Sequence, residues 1–263
     1  MFTSVLVPLD LDEDADRALP VAAALAGRLA VPLDVVIVGS RGVAPGLDDE
    51  EARRHARAVG VDVDDVLVRF DADVAGGVLS QAAAHGALLC VATSSRGGIA
   101  DLWSRSLSGQ LVRRSPDAFV LVGPHVVVEP RPRFTEIVAG IDAAPASARV
   151  AAATLAWARR LDVKAHLVQV VGDDISFDPA DTTVARIDVS LQAMDVSAAW
   201  QVVRDGNPAH GLLAAADQHD SPLVILGTHD HAWTHGPRPA LGRVAHDVVR
   251  RSHHPVLVVP PAP

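Results

Sequence analysis

"RALPVAAALAGRLAVPLDVVIV" (residues 17–38) and "ARVAAATLAWARRLDVKAHLVQVV" (148–171) are one pattern written twice. Each is an Ala-rich stretch of helical period that runs into a short, nearly unbroken apolar run, which reads as a strand buried on both faces. The flanking segments repeat as well. "SVLVPLD" (4–10) returns as "EIVAGID" (136–142), "ALLCVATSS" (87–95) as "PLVILGTHD" (222–230), and "LVRRSPDAFVLVGP" (111–124) as "VVRRSHHPVLVVPP" (248–261). The order is kept, and the offset drifts only from 132 residues between Asp10 and Asp142 to 135 between Ala92 and Gly227. This marks a duplication and predicts two like domains, residues 1–124 and 134–263. The joint, about 125–133, lies within "GPHVVVEPRPR" (123–133), whose three prolines disfavour helix and suit an extended linker.

Within each half, short apolar runs alternate with helical stretches, the pattern of an α/β fold with a parallel sheet. Five strands are expected per half, near 4–9, 33–38, 62–69, 87–92 and 118–123, then 136–141, 163–171, 198–204, 222–227 and 255–260, with four helices between them. Pro20, inside the first helical stretch, is expected to kink that helix or shift its start.

Composition removes several function classes. Asp and Glu outnumber Lys and Arg by 32 to 23, for a net charge of −9, so no nucleic-acid surface is expected. The single lysine, Lys164, lies in "DVKAH", so no GK[ST] phosphate loop exists. No apolar run reaches the ~18 residues of a membrane span, and the start meets an Asp too early for a signal peptide, so a cytoplasmic protein without membrane contact is expected. The lone Cys90, inside "ALLCVA", reads as a packed, inert thiol.

In open α/β sheets, ligands bind beyond the carboxyl ends of the strands at the topological switch point. Two features of each half point there. An Asp directly follows the first strand, Asp10 and Asp142, placed either to accept hydrogen bonds from a ligand or to cap a helix. The loop between the fourth strand and fourth helix can hold phosphate on backbone N–H groups where glycine permits close approach.

The strand-one Asp, the Ala-rich helix, "GNPAHGLLAAA" (206–216), a strand ending in "VILG" and the final "VVRRSHHPVLVV", in this order, resemble the universal stress protein family in tandem form. The resemblance covers nearly the whole chain. It implies two tandem flavodoxin-like or Rossmann-like domains of strand order 3-2-1-4-5, an intramolecular pseudo-dimer in which the final strands "AFVLVG" and "PVLVVP" meet, and room for a further homodimer. Nucleotide-binding members of the family carry G-x2-G-x9-G-[ST] after the fourth strand, while the strand-one Asp meets adenine.

In the first half the three glycine positions hold Ala92, Ser95 and Arg105, and only Ser106 of the final pair remains. The segment before the third helix begins at Asp71, where the second half has Gly206. In the second half Gly227 and Gly242 fit the outer positions, Asp230 replaces the middle glycine, the spacing is two residues longer and Arg243 replaces the hydroxyl residue. Arg243 is expected to pair with phosphate or to fill the pocket. The resemblance therefore implies an adenine-nucleotide site, for ATP or ADP, in the second half only, built on Asp142, Gly206, Gly227, Gly242 and Arg243. Asp10 and Ser106 are what the first half retains. The alternative is a scaffold that binds no nucleotide and acts through protein contacts.

Six of the twelve histidines fall in the last 35 residues. His229, Asp230, His231 and His235 match no closed zinc pattern, and no metal site is expected in the protein. His253 and His254 occupy the turn before the last strand. No nucleophile, base and orienting partner occur at recognisable spacing, so no enzyme is expected. A two-component receiver domain is excluded because it needs a lysine near the fifth strand.

Overall fold

A computed structural model describes residues 2–9, 16–39, 49–93, 106–129, 131–142, 147–172, 198–220, 222–228 and 241–260. The first half runs β1 (Val5–Pro8), α1 (Ala18–Leu29), β2 (Leu33–Gly39), α2 (Asp49–Ala58), β3 (Asp65–Phe70), α3 (Val74–Ala84), β4 (Leu88–Ala92), α4 (Leu107–Arg114) and β5 (Phe119–Val122). The second runs β6 (Glu136–Ile141), α5 (Ser147–Leu161), β7 (Lys164–Val171), β8 (Ala198–Arg204), α6 (Pro208–Ala216), β9 (Pro222–Gly227), α7 (Arg243–Arg251) and β10 (Val256–Val259). The helix expected between β7 and β8 falls on residues 173–197, outside the described residues.

The strands form one ten-stranded sheet of order β3-β2-β1-β4-β5-β10-β9-β6-β7-β8. Each half has the order 3-2-1-4-5 and is parallel throughout. The halves join where β5 and β10 pair antiparallel, Leu121 against Val256 and Phe119 against Val258. All four residues of each of these strands are buried. Fully burying such a side chain contributes about 1.5–3 kcal/mol, so the pairing both closes two apolar sheet edges and stabilises the join.

Helices cover both faces. One core packs α1 and α5 on Val5, Val35, Cys90, Ile137, Leu167 and Leu257; the other packs α3, α4, α6 and α7 on Leu6, Leu89, Leu121, Val138, Val224 and Val258. Each core spans both halves. Across the join, Arg28 donates to the Leu161 carbonyl, Arg160 donates to the Phe2 carbonyl, and the Val127 amide donates to His253.

The duplication reaches individual hydrogen bonds. α1 ends at Ala30 and α5 at Asp162, both left-handed with φ of 53° and 52°. After them, Val31 N donates to Ala26 and Val163 N to Ala158, the same helix-closing turn in each half. Pro20 stands in the first turn of α1, where its missing N–H costs nothing, so it sets the start rather than a kink.

Candidate functional site

In the second half the chain leaves β6 towards β7 and β8 on one side, and returns to β9 and β10 on the other, so the switch point lies between β6 and β9. A cavity of about 310 Å³ opens there, beyond the carboxyl ends of these strands. Its wall combines apolar side chains, Val168, Leu212 and Leu226 among them, with Asp142, Gly227 and Gly242. Three residues expected from the sequence are thereby brought together.

Asp142 follows β6 directly and is tied to the first residue of α5. The Ser147 hydroxyl donates to Asp142 Oδ1 at 2.5 Å and accepts from the Asp142 amide at 2.9 Å. Ser147 is 4% exposed, whereas Asp142 is exposed. A buried hydroxyl thus fixes an accessible carboxylate at the cavity wall. Ser147 is a site residue that the motif reading missed, although a serine just before an Ala-rich helical run is itself a helix-start signal. At the same offset in the first half stands Ala15.

Gly227 and Gly242 flank the loop 229–240, which lies outside the described residues together with His229, Asp230, His231 and His235. The ends of that loop are pinned: Gly242 N donates to the Thr228 carbonyl at 2.7 Å, and Thr228 N to Val259 at 3.0 Å. Among the described residues, a Cβ on Gly227 would meet nothing closer than Val150 Cγ2 at 3.4 Å, so their packing does not require glycine there. What the missing side chain leaves open is the cavity.

Gly242 is the N-cap of α7 and provides no side-chain cap, so the first N–H groups of that helix lie at the cavity wall without a side-chain acceptor at the cap. The first half differs. Ser106 caps α4, and its hydroxyl accepts from Gly109 N at 3.1 Å, meeting one of those donors from within. Asp10, Ser95 and Arg105 lie outside the described residues. Ala92 ends β4.

Two expected residues stand off the cavity wall. Arg243, the first residue of α7, is exposed, so it leaves the pocket unfilled. Gly206 is exposed in the turn before α6, and its neighbour Pro208 reaches the wall instead. That turn is built by Asp205, which accepts from Asn207 N at 2.7 Å, and by Asn207, which caps α6 by accepting from Ala209 and His210. A hydrogen bond from His210, then one from Asn207 N, holds the Asp205 carboxyl below its usual value. In the first half Asp71 and Asp73 make the same turn, and Arg114 of α4 adds a bidentate pair to Asp73 at 2.7 and 2.6 Å.

Residues 133–260 match the sequence model of the universal stress protein family. The second half is thus a universal stress protein domain by sequence, and the first half repeats its fold in tandem. A universal stress protein from Archaeoglobus fulgidus DSM 4304 has the same fold over 98% of this chain and 96% of its own, with a TM-score of 0.68 at 17% identity. A putative universal stress protein from Pseudomonas aeruginosa UCBPP-PA14 covers 99% and 94%, with a TM-score of 0.62 at 16% identity. A further structure, of a universal stress protein from Archaeoglobus fulgidus in complex with dAMP, covers 48% of this chain and 98% of its own, at 20% identity and a TM-score of 0.39. No curated protein matches. Among the described residues no helix is long and apolar enough to cross a membrane.

Proposed function

We propose that this protein is a non-enzymatic stress-response protein that holds one adenine nucleotide, ATP or ADP, in its second half. The observation that carries this reading is the cavity between β6 and β9, whose wall carries both the start of α7, with glycine at its N-cap, and the carboxylate that Ser147 fixes. Its volume lies at the lower end of the ~300–1,000 Å³ range of small-molecule sites. The apolar side chains suit the faces of a base, and Asp142 suits an amino or hydroxyl donor on the nucleoside. Phosphates then lie over Gly227 and Gly242 at the start of α7, where backbone N–H groups and the helix dipole favour negative charge. Arg243, exposed at the first turn, supplies a cation beside them.

The first half is read as carrying no nucleotide. Ser106 already occupies a donor of its equivalent helix, and Ala92 sets a side chain where the second half has Gly227.

Calorimetric titration of the full chain with ATP and with ADP tests the proposal. One equivalent per chain, lost in Asp142→Ala and kept in Asp10→Ala, is the expected result. Equal losses from both variants would place a site in each half, and no heat with either nucleotide would leave the protein-contact scaffold.

A further inference from the structure

At the opposite end of the second half's strands lies a group of side chains that the nucleotide reading does not use. Glu136 opens β6, and His166 is the third residue of β7. The register pairs Val138 with His166, so Glu136 and His166 project diagonally from the same face of the sheet. α6 covers that face, and the turn after it delivers His219, whose amide donates to the Ala216 carbonyl at the helix end. Glu136 meets both imidazoles, His166 Nε2 at 3.1 Å from Oε1 and His219 Nδ1 at 2.8 Å from Oε2. The two rings face each other with centroids 3.9 Å apart.

We propose that Glu136, His166 and His219 form a binding site for a divalent transition-metal ion of the zinc class. One ligand atom from each residue lies within 4.8 Å of the other two. Tetrahedral coordination at ~2.1 Å separates ligand atoms by about 3.4 Å, so the carboxylate–imidazole contacts at 3.1 and 2.8 Å need to open by about 0.3 and 0.6 Å. To coordinate, each ring turns a nitrogen lone pair to the ion and carries its single proton on the other ring nitrogen, while the carboxylate binds as an anion. Two imidazoles and a carboxylate, with no thiolate, are a donor set that suits Zn²⁺ or Co²⁺.

The surroundings favour a cation site. His166 is 8% exposed and fixed in a central strand, while Glu136 and His219 keep partial access to solvent, so the site has a rigid floor and an open side for water as a fourth ligand. The C-terminus of α6 directs the negative end of its dipole to the turn that carries His219. The set belongs to the second half alone, since the equivalent positions of the first half hold Ser4, Asp34 and Ala84. This site departs from the sequence-based expectation of no metal, which rested on the loop histidines; His166 and His219 lie 30 and 83 residues from Glu136 and show no spacing signal.

The test uses the full chain, stripped with chelator, dialysed, and titrated with Zn²⁺ by calorimetry and with Co²⁺ by visible absorption. Expected are one Zn²⁺ per chain and a Co²⁺ spectrum of low coordination number. Glu136→Gln and His219→Gln, whose folding is checked by circular dichroism, should each weaken binding at least tenfold. A triple loop variant, His229→Gln with His231→Gln and His235→Gln, should retain the full equivalent. Three results overturn the proposal: no binding to the stripped protein, binding lost in the loop variant but kept in Glu136→Gln and His219→Gln, or several weak equivalents that no single substitution removes.

Discussion

The Val249 carbonyl in α7 occupies the space that a side chain on Gly123, at the end of β5, would need. These residues come from different halves, and the contact is between backbones, so neither partner can rotate away. Gly123→Ala should therefore destabilise the chain by about 1–3 kcal/mol, the usual cost of overpacking a close contact. Urea denaturation followed by circular dichroism checks this, and an unchanged midpoint would show that α7 shifts freely at the join.

The pair Asp142 and Ser147 separates positioning from binding at the cavity. Asp142→Ala removes an acceptor and should weaken nucleotide binding by about 1.5–3 kcal/mol, as for a hydrogen bond to a charged group. Ser147→Ala leaves the acceptor but releases it, and should cost about 1 kcal/mol. Gly227→Ala has room among the described residues, the nearest of their atoms standing at 3.4 Å, yet adds a methyl to the cavity wall. Its melting temperature should stay near that of the parent while its affinity falls; parallel thermal melts and ATP titrations distinguish the two effects.

Acid stability should carry the signature of Asp73. The Arg114 hydrogen bonds, then that of Gly76 N, lower its pKa from 3.8 to about 2. A carboxylate depressed in the folded state stabilises fully above its unfolded value and ceases to do so as pH falls through the folded one. Asp73→Asn keeps an N-cap acceptor for Gly76 but loses the charge. The stability gap between parent and variant should be present at pH 6, shrink between pH 4 and pH 2, and narrow with salt, because both side chains are largely exposed.

Cys90 should be silent until the chain unfolds. It is fully buried in β4, and burial pushes its thiol up, so thiolate is scarce at neutral pH. Ellman's reagent should find no thiol in the native protein and one per chain in guanidinium. Rapid labelling of the native protein would mean that β4 opens readily.

The architecture was legible because a parallel strand buried on both faces writes an apolar run, and because two copies of each run cross-check one another. "DVVIV" and "HLVQVV" carry the same register, as the pairings of Val5 with Leu33 and of Ile137 with Ala165 show. The strand order came from the family resemblance, since alternating strands and helices alone fit several windings. At the candidate cavity, Asp142, Gly227 and Gly242 were legible because each stands where a strand ends or a helix begins, even though the stretch between the glycines is two residues longer than the motif. Ser147 was not, because no motif spacing marks it. Glu136, His166 and His219 were also hidden: parallel strands and a returning helix bring together side chains that lie far apart along the chain. Gly206 and Arg243 show the converse, since a place in a motif does not decide which way a residue faces.

Because β5 and β10 pair antiparallel, strand polarity reverses at the middle of the sheet. The loops that follow the strands of one half emerge along the opposite border of the molecule from those of the other. The cavity at Asp142 and Gly242 and the ends of β1 and β4 therefore address different regions of solvent. One partner docked along either border meets strand starts from one half and strand ends from the other, so the duplicated chain offers two non-equivalent rims where two separate copies of one domain would offer identical ones.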